Sequence, residues 1–583
     1  MLAQNLRTRS KVFSAIATSF SALQAIVIAI TPAHATEPAD TIYRGGEIIT
    51  MESDEPQYVQ AVAVKDGLIA FVGTEDEAEA YIGSQTKQVD LEGHTLLPGF
   101  IDAHGHVWNT GFQALAANLL PPPDGEAHDI ASVIQITKDW ADSNKASIDK
   151  VGYIVGFGYD DAQLAENRHP TADDLDKISA DIPVILLHQS THLGVMNNKA
   201  LEMVGYTAAT QDPLGGVIQR KKGSQEPNGV LEEMALFNPL FAIMAQLDQD
   251  ANTKIAIAGM NAYAAHGFTT AQEGRATKAV SETWRSLAES GELILDVDIY
   301  PDIRGDADYL REVGTTHDYE NGFRVAGAKL SLDGAIQNFT AWLSEPYKKP
   351  LPGQSSDYAG YPAIEDNSEV ESIVELAYQN DWQLLVHTNG DRTSDQLIEA
   401  VRKVRGDMGD ADRRTVMVHA QTVREDQLDS MKELEIFPSF FAMHTYYWGD
   451  LHREVTLGKE RAYRISPAQS ALQRGMMFSQ HHDAPVALPS AMAILSAAVN
   501  RTSRTGDVIG PDQRISAYDA LRALTIWAAY QGYQENLKGS LKPGKLADFV
   551  VLDQNPLKVD PASLRDIKVL ETIKNDKSIF TAK

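Results

Sequence analysis

Eight short apolar runs, rich in β-branched and aromatic residues and separated by helical stretches, recur between residues 95 and 481. They cover 95–101, 268–272, 294–300, 325–332, 383–387, 415–419, 436–440 and 477–481. Runs that are apolar on both faces suit parallel strands buried beneath helices rather than the half-wet strands of an antiparallel sheet. Eight strand–helix units in series predict an α/β chain centred on a (β/α)8 TIM-like barrel. The chain has 583 residues, whereas one barrel needs roughly 250, so insertions or a further domain are required.

Residues 107–255 fall between the first two runs and carry helical and strand-like stretches of their own, as an insertion over the barrel mouth would. The two chain ends share a different pattern. Ile42-Tyr43, Glu47-Ile48-Ile49, Ala61-Val62-Ala63-Val64 and Leu68-Ile69-Ala70-Phe71-Val72 are short strand-like runs, and Lys65-Asp66-Gly67 between the last two is a hairpin signal. Phe549-Val550-Val551-Leu552 near the C-terminus has the same character. The expected organisation is therefore a small β-sandwich domain assembled from residues 36–94 and 536–583. It brackets a barrel over 95–500 and terminal barrel helices over 501–535.

Arg7, Arg9 and Lys11, an apolar stretch over 12–30 and Ala33-His34-Ala35 follow the order of a secretory signal peptide, residues 1–35, and predict a periplasmic or secreted protein. A permanent N-terminal anchor is the alternative, because the stretch is nearly long enough to span a bilayer. The formal charge of −29 makes nucleic acid and anionic membrane unsuitable partners. The chain contains no cysteine, which excludes disulfides, thiolate ligands and a cysteine nucleophile.

Chemistry-bearing residues sit where the runs end. Phe100-Ile101-Asp102-Ala103-His104-Gly105-His106 places two imidazoles two residues apart, on one face of an extended segment. Lys329 interrupts the apolar run over 325–332, where an ammonium is costly to bury. It is either a snorkelling or ion-paired lysine or one carboxylated by CO2 into an anionic ligand able to bridge two metals. His387 ends Leu384-Leu385-Val386-His387 and His419 ends Val416-Met417-Val418-His419. Asp483 stands in His481-His482-Asp483-Ala484-Pro485, a setting that also suits a simple cap or turn. In a (β/α)8 enzyme the catalytic groups come from the C-terminal ends of several strands. Here they fall at the first, fourth, fifth, sixth and eighth.

This ordered set resembles the metal signature of the amidohydrolase superfamily and, within it, the amidohydrolase-3 group of YtcJ-like and AepA-like hydrolases, which includes N-substituted formamide deformylase. Further marks are Leu97-Pro98-Gly99-Phe100-Ile101-Asp102, Gly156-Phe157-Gly158-Tyr159-Asp160, His192 through Asn197 to Leu201, His387-Thr388-Asn389-Gly390-Asp391-Arg392 and Lys542-Pro543-Gly544-Lys545-Leu546-Ala547-Asp548. Three departures stand out. His481-His482 replaces the usual Gly-Ser before Asp483, the arginine often found before Thr340-Ala341 is missing, and Asn389 follows His387 where isoleucine is usual, leaving the ligand set intact.

The resemblance implies two divalent ions, zinc by expectation, held by His104, His106, Lys329, His387, His419 and Asp483. Asp483 would also be the catalytic base and then acid, beside a metal-activated hydroxide. His192, Tyr159, Asp160 and His444 are candidates for lining the substrate side. The expected reaction is hydrolysis of a C–N bond in a small N-acyl or N-formyl amine, with an ester, a carbamate or a cyclic amide as alternative substrates. A non-catalytic binding or regulatory protein that keeps the barrel is the rival from another class. The chain lacks the Gly-x-Ser-x-Gly elbow of a serine hydrolase. After signal removal no membrane association is expected, and a homodimer is an admissible assembly. N-terminal sequencing of exported protein is expected to start at Thr36; recovery of intact Met1 from the cytoplasm or membrane would contradict cleavage.

Overall fold

The computed structural model describes residues 37–213, 215–351 and 353–583, so the segment over 1–35 expected to be a signal peptide lies outside the described residues. The two chain ends meet in one eight-stranded mixed sheet. Its N-terminal strands are Thr41–Ile49, Tyr58–Lys65, Leu68–Gly73, Lys87–Asp90 and Thr95–Pro98, and its C-terminal strands are Phe549–Leu552, Val569–Lys574 and Lys577–Thr581. The seam between the ends is antiparallel, with Leu97 opposite Val550. Side-chain alternation gives the sheet two apolar faces: Val62 and Val64 join Tyr43, Leu96 and Phe549, while Ala61 and Ala63 pack with Ala78. The ladders define a single sheet; they do not by themselves divide it into the two layers of a sandwich.

The run expected as one strand over 95–101 is two. Thr95–Pro98 belongs to the end sheet, and only Phe100–Ile101 pairs with the next parallel strand, Phe268–Ala276. Gly99 makes the crossing, because a β-carbon there would stand 2.4 Å from Thr269 Cγ2. From Phe100–Ile101 the parallel order continues through Phe268–Ala276, Asp296–Pro301 and Phe323–Val325. A second parallel sheet then runs Gly327–Ser331, Gln383–Thr388, Val416–His419, Phe437–Phe440 and Ser479–Gln480. Only Ala326 separates the two sheets along the chain, so the run expected over 325–332 spans both, and a parallel bridge from Asp302 to Lys329 links them.

At the other seam the last and first strands make no ladder among the described residues. The segment Ala523-Leu524 stands between them, taking the backbone N–H of Gln480 on Ala523 O at 3.1 Å and that of Ile101 on Leu524 O at 2.9 Å. Just beyond, Asp483 N–H donates to His104 O at 3.1 Å and His106 N–H to Ala484 O at 2.8 Å. These last bonds tie the loops that carry three of the candidate ligands.

Between the first two parallel strands the chain builds a separate six-stranded sheet. Its strands are Ala117–Asn118, Ile154–Tyr159, Val184–His188, Leu193–Met196, Gly216–Arg220 and Pro227–Glu233. It is apolar on both faces, with Ile154, Leu186 and Val195 on one and Val155, Leu187 and Met196 on the other. Trp448 Nε1–H donates to Asp160, and Gln189 Nε2–H to Val486 O, so this sheet is held against the loops at the C-terminal ends of the parallel strands. No helix among the described residues is long and apolar enough to cross a membrane.

Phe549 is fully buried and meets the Tyr43 ring edge-on at 5.3 Å across the join of the two chain ends. Phe549→Ala should cost about 3–5 kcal/mol, read as a lower midpoint in chemical unfolding; an unchanged midpoint would mean that the seam contributes little to the fold.

Candidate metal centre

Register explains why distant residues share one face. Lys329 lies opposite Leu385 and Ser331 opposite His387, so the Lys329 and His387 side chains leave the sheet on the same side. Thr388 lies opposite His419, which brings the next imidazole to the same end. His104 and His106 follow Phe100–Ile101, and Asp483 follows Ser479–Gln480.

His104, His106 and Asp483 form a compact group whose ligand atoms all lie within 4.8 Å of one another. Nε2 of both histidines is 3.3 Å from Asp483 Oδ1, and that buried oxygen accepts no hydrogen bond. Lys329 Nζ is 3.2 Å from His104 Nε2, and His419 Nε2 is 3.8 Å from Asp483 Oδ2. The His387 and His419 rings are 4.6 Å apart. All six sequence-selected ligands therefore converge. His419 (φ 69°) and Asp483 (φ 52°) both hold left-handed backbone, strain that the surrounding contacts must sustain.

Electrostatics favours cation binding. Burial, with the neighbouring Lys329 charge, pushes His104 down to about 3, and burial, with His387, holds His419 well below its ordinary value. Both are then neutral imidazoles, the form that ligates a cation. Burial alone would raise the Asp483 carboxyl, but the imidazoles of His104, His106 and His419 beside it hold it well below the usual carboxylate range. Lys329 is pushed down to about 7 by burial. A carboxylate oxygen that accepts no hydrogen bond, 3.3 Å from two imidazole nitrogens, fits a divalent ion, whose ligand atoms stand about 2.0–2.2 Å from it.

A second layer fixes the rings. Gln272 Oε1 lies 2.9 Å from His104 Nδ1, while Gln272 Nε2–H is held by Ala103 O, so the tautomer with the proton on Nδ1 leaves Nε2 bare. Gly274 makes room: a β-carbon there would lie 2.6 Å from His104 Nδ1. Asp333 Oδ1 is 3.2 Å from His387 Nδ1 and accepts the backbone N–H of Asn389 at 3.0 Å. Asn389 does reach its neighbour in the candidate set. Its Nδ2 lies 3.3 Å from His387 Nε2, at the edge of hydrogen-bond distance from that ring.

The residues expected to line the substrate side separate into two places. His192 is bonded to Glu233 at 2.9 Å and lies 6.2 Å, ring to ring, from His387; His444 is 6.1 Å from His419. Tyr159 and Asp160 are instead buried in a distinct cluster with Asp161, His169 and His188. Sequence reasoning passed over His481, which is fully buried between His104 and His419 at ring distances of 5.2 and 5.1 Å with both nitrogens unpartnered.

The model for the amidohydrolase family matches residues 87–580. N-substituted formamide deformylase of Arthrobacter pascens is 27% identical over 522 residues, covering 88% of this chain and 93% of that protein. Putative amidohydrolase YtcJ of Bacillus subtilis is 25% identical over 561 residues, 92% and 99% of the two chains. The crystal structure of an uncharacterized metal-dependent hydrolase from Pyrococcus horikoshii superposes with a TM-score of 0.71 at 23% identity, covering 89% of this chain and 99% of the other. Gln272→Leu removes the acceptor from His104 and should weaken divalent-ion binding about 10- to 100-fold in a chelator competition, with the circular dichroism spectrum unchanged; unaltered affinity would show that His104 is oriented by other means.

Proposed function

The chain belongs to the amidohydrolase family, and from that premise we propose that its strand-end centre hydrolyses the amide C–N bond of a small N-acyl or N-formyl amine. The observation that carries the reading is the unpartnered Asp483 Oδ1 within 3.3 Å of both His104 Nε2 and His106 Nε2. We take the two parallel sheets as halves of one (β/α)8 barrel, the end sheet as its accompanying sandwich and residues 107–255 as the insertion over its mouth.

His104, His106 and Asp483 would hold one ion, His387 and His419 a second, and Lys329 would stand between them. A pair of divalent ions, zinc in this reading, supplies acidified water and a Lewis acid for the carbonyl. Lys329 joins as a carboxylated side chain: its neutral amine adds to CO2, forming an N–C bond, and one proton leaves to solvent. A lysine pushed down to about 7 is substantially neutral near that pH, as this addition requires.

The Asp483 carboxylate, through the oxygen left free by the ion, would take a proton from the attacking water and return it to the departing nitrogen as the C–N bond breaks. Burial alone would lower His192, but Glu233 outweighs it and raises the imidazole. A protonated His192 is a donor for the substrate carbonyl or leaving group. The net charge of −29 fits a small-molecule substrate and not a polyanion, and the N-terminal pattern supports an activity exported to the periplasm or beyond.

A panel of formamides, N-acyl amines, lactams, carbamates and esters identifies the substrate, with an amide expected to turn over fastest. On it, Asp483→Asn should lower kcat/KM by about 10²- to 10⁴-fold while the protein stays folded; near-normal turnover would refute the role of Asp483.

A further inference from the structure

The inserted sheet carries its own group of ligand-type side chains, outside the strand-end centre. Strand Ile154–Tyr159 runs out into Asp160 and Asp161, and the parallel strand beside it, Val184–His188, ends on His188, with Tyr159 opposite His188 in register. His188 Nε2 is 3.2 Å from Asp161 Oδ1 and 3.6 Å from Asp160 Oδ1. The ligand atoms of these three residues lie within 4.8 Å of one another. His169 Nδ1 adds a further nitrogen 3.6 Å from Asp161 Oδ1.

His188 supplies an independent sign of a missing partner. The residue is 1% exposed, yet its Nε2 makes no hydrogen bond, although it points between two carboxylates. A buried polar atom left in that state is costly unless something occupies the space. Ser190 Oγ, 2.8 Å from His188 Nδ1, can accept that nitrogen's proton and leave Nε2 as a lone pair. The backbone N–H of Ser190 approaches the same Nδ1 at 3.0 Å and favours the opposite tautomer, with a proton on Nε2. Two chemistries thus compete for one space: a proton shared with the carboxylates, or a cation.

We propose that Asp160, Asp161 and His188 form a structural site for a divalent cation of the zinc or manganese class, separate from the strand-end centre and independent of the hydrolase reading. Burial lowers the His188 imidazole, but Asp160 and Asp161 outweigh it and raise it to about 9, so an ion binds here by displacing that proton. Two carboxylates and the imidazole so neutralised balance a charge of +2, and a mixed O/N set suits these ions. The Asp161 side chain is 31% exposed, which gives an ion a way in from solvent. Asp160 is already fixed, by Ala162 N–H on Oδ1 at 3.0 Å and by Trp448 Nε1–H on Oδ2 at 3.1 Å. Trp448 lies on helix His444–Leu451, whose first residue packs near His419. An ion on Asp160 would therefore pin the inserted sheet to the helix beside the strand-end centre.

The test uses the full mature chain, stripped with a chelator, reloaded with Zn²⁺ or Mn²⁺ and dialysed, and compares wild type with Asp161→Asn, His188→Gln and His106→Asn. Plasma mass spectrometry should find one ion fewer per chain in His188→Gln than in wild type. Asp161→Asn, which keeps the shape of a part-exposed side chain, should bind that ion about tenfold or more weakly. His106→Asn should lose ions from the strand-end centre while keeping this one, and Zn²⁺ should still raise its Tm. Wild-type ion counts and affinities in both Asp161→Asn and His188→Gln would overturn the proposal and leave His188 as a protonated ion-pair partner. If His188→Gln does not fold, Asp161→Asn decides alone.

Discussion

Asp483 is nearly buried with one oxygen unpaired, and everything around it is arranged to keep it so. A carboxylate in that position is tolerated only with positive or strongly polar partners. Here they come from His104 and His106 after one strand and His419 at the end of another. The backbone participates too: Asp483 N–H donates to His104 O, and Asp483 itself adopts left-handed backbone. The loops at the first and last strands are thus bound to each other where the strands make no ladder. Shifting either loop would separate the ligands and remove the bond that joins the seam.

The same logic runs outward. Gln272 and Gly274 seat His104, Asp333 seats His387, and Asp102 accepts the backbone N–H groups of both His104 and Gln272. These supports lie on strands or on turns directly after them, so ring orientation is set by the most rigid part of the fold. The inserted sheet is attached to that frame through Gln189 and Trp448. The elements that would contact a substrate are then positioned relative to the ligands by a few polar bonds to loop carbonyls and to Asp160.

How much of this the chain discloses depends on whether the signal is local. Strand-end His387 and His419 are legible because each closes a run of apolar residues, and Lys329 because it interrupts one. The pairing of the chain ends was legible from matching strand character. The break at Gly99 was not, because it is imposed by Thr269, 170 positions away in sequence. Asn389 and His481 illustrate the same limit. Their contacts with His387 and with the His104 and His419 rings arise from three-dimensional neighbours. Tyr159 and Asp160 stood out by motif, yet the motif carried no information on which buried cluster they would join.

The account stands on a divalent pair held by residues from five strand ends. Anomalous diffraction at the zinc edge from crystals of the zinc-loaded protein tests it most directly. The account predicts two peaks at about 2.0–2.3 Å from ligand atoms of His104, His106, Lys329, His387, His419 and Asp483. Zinc-loaded crystals with no peak among these six residues would contradict it.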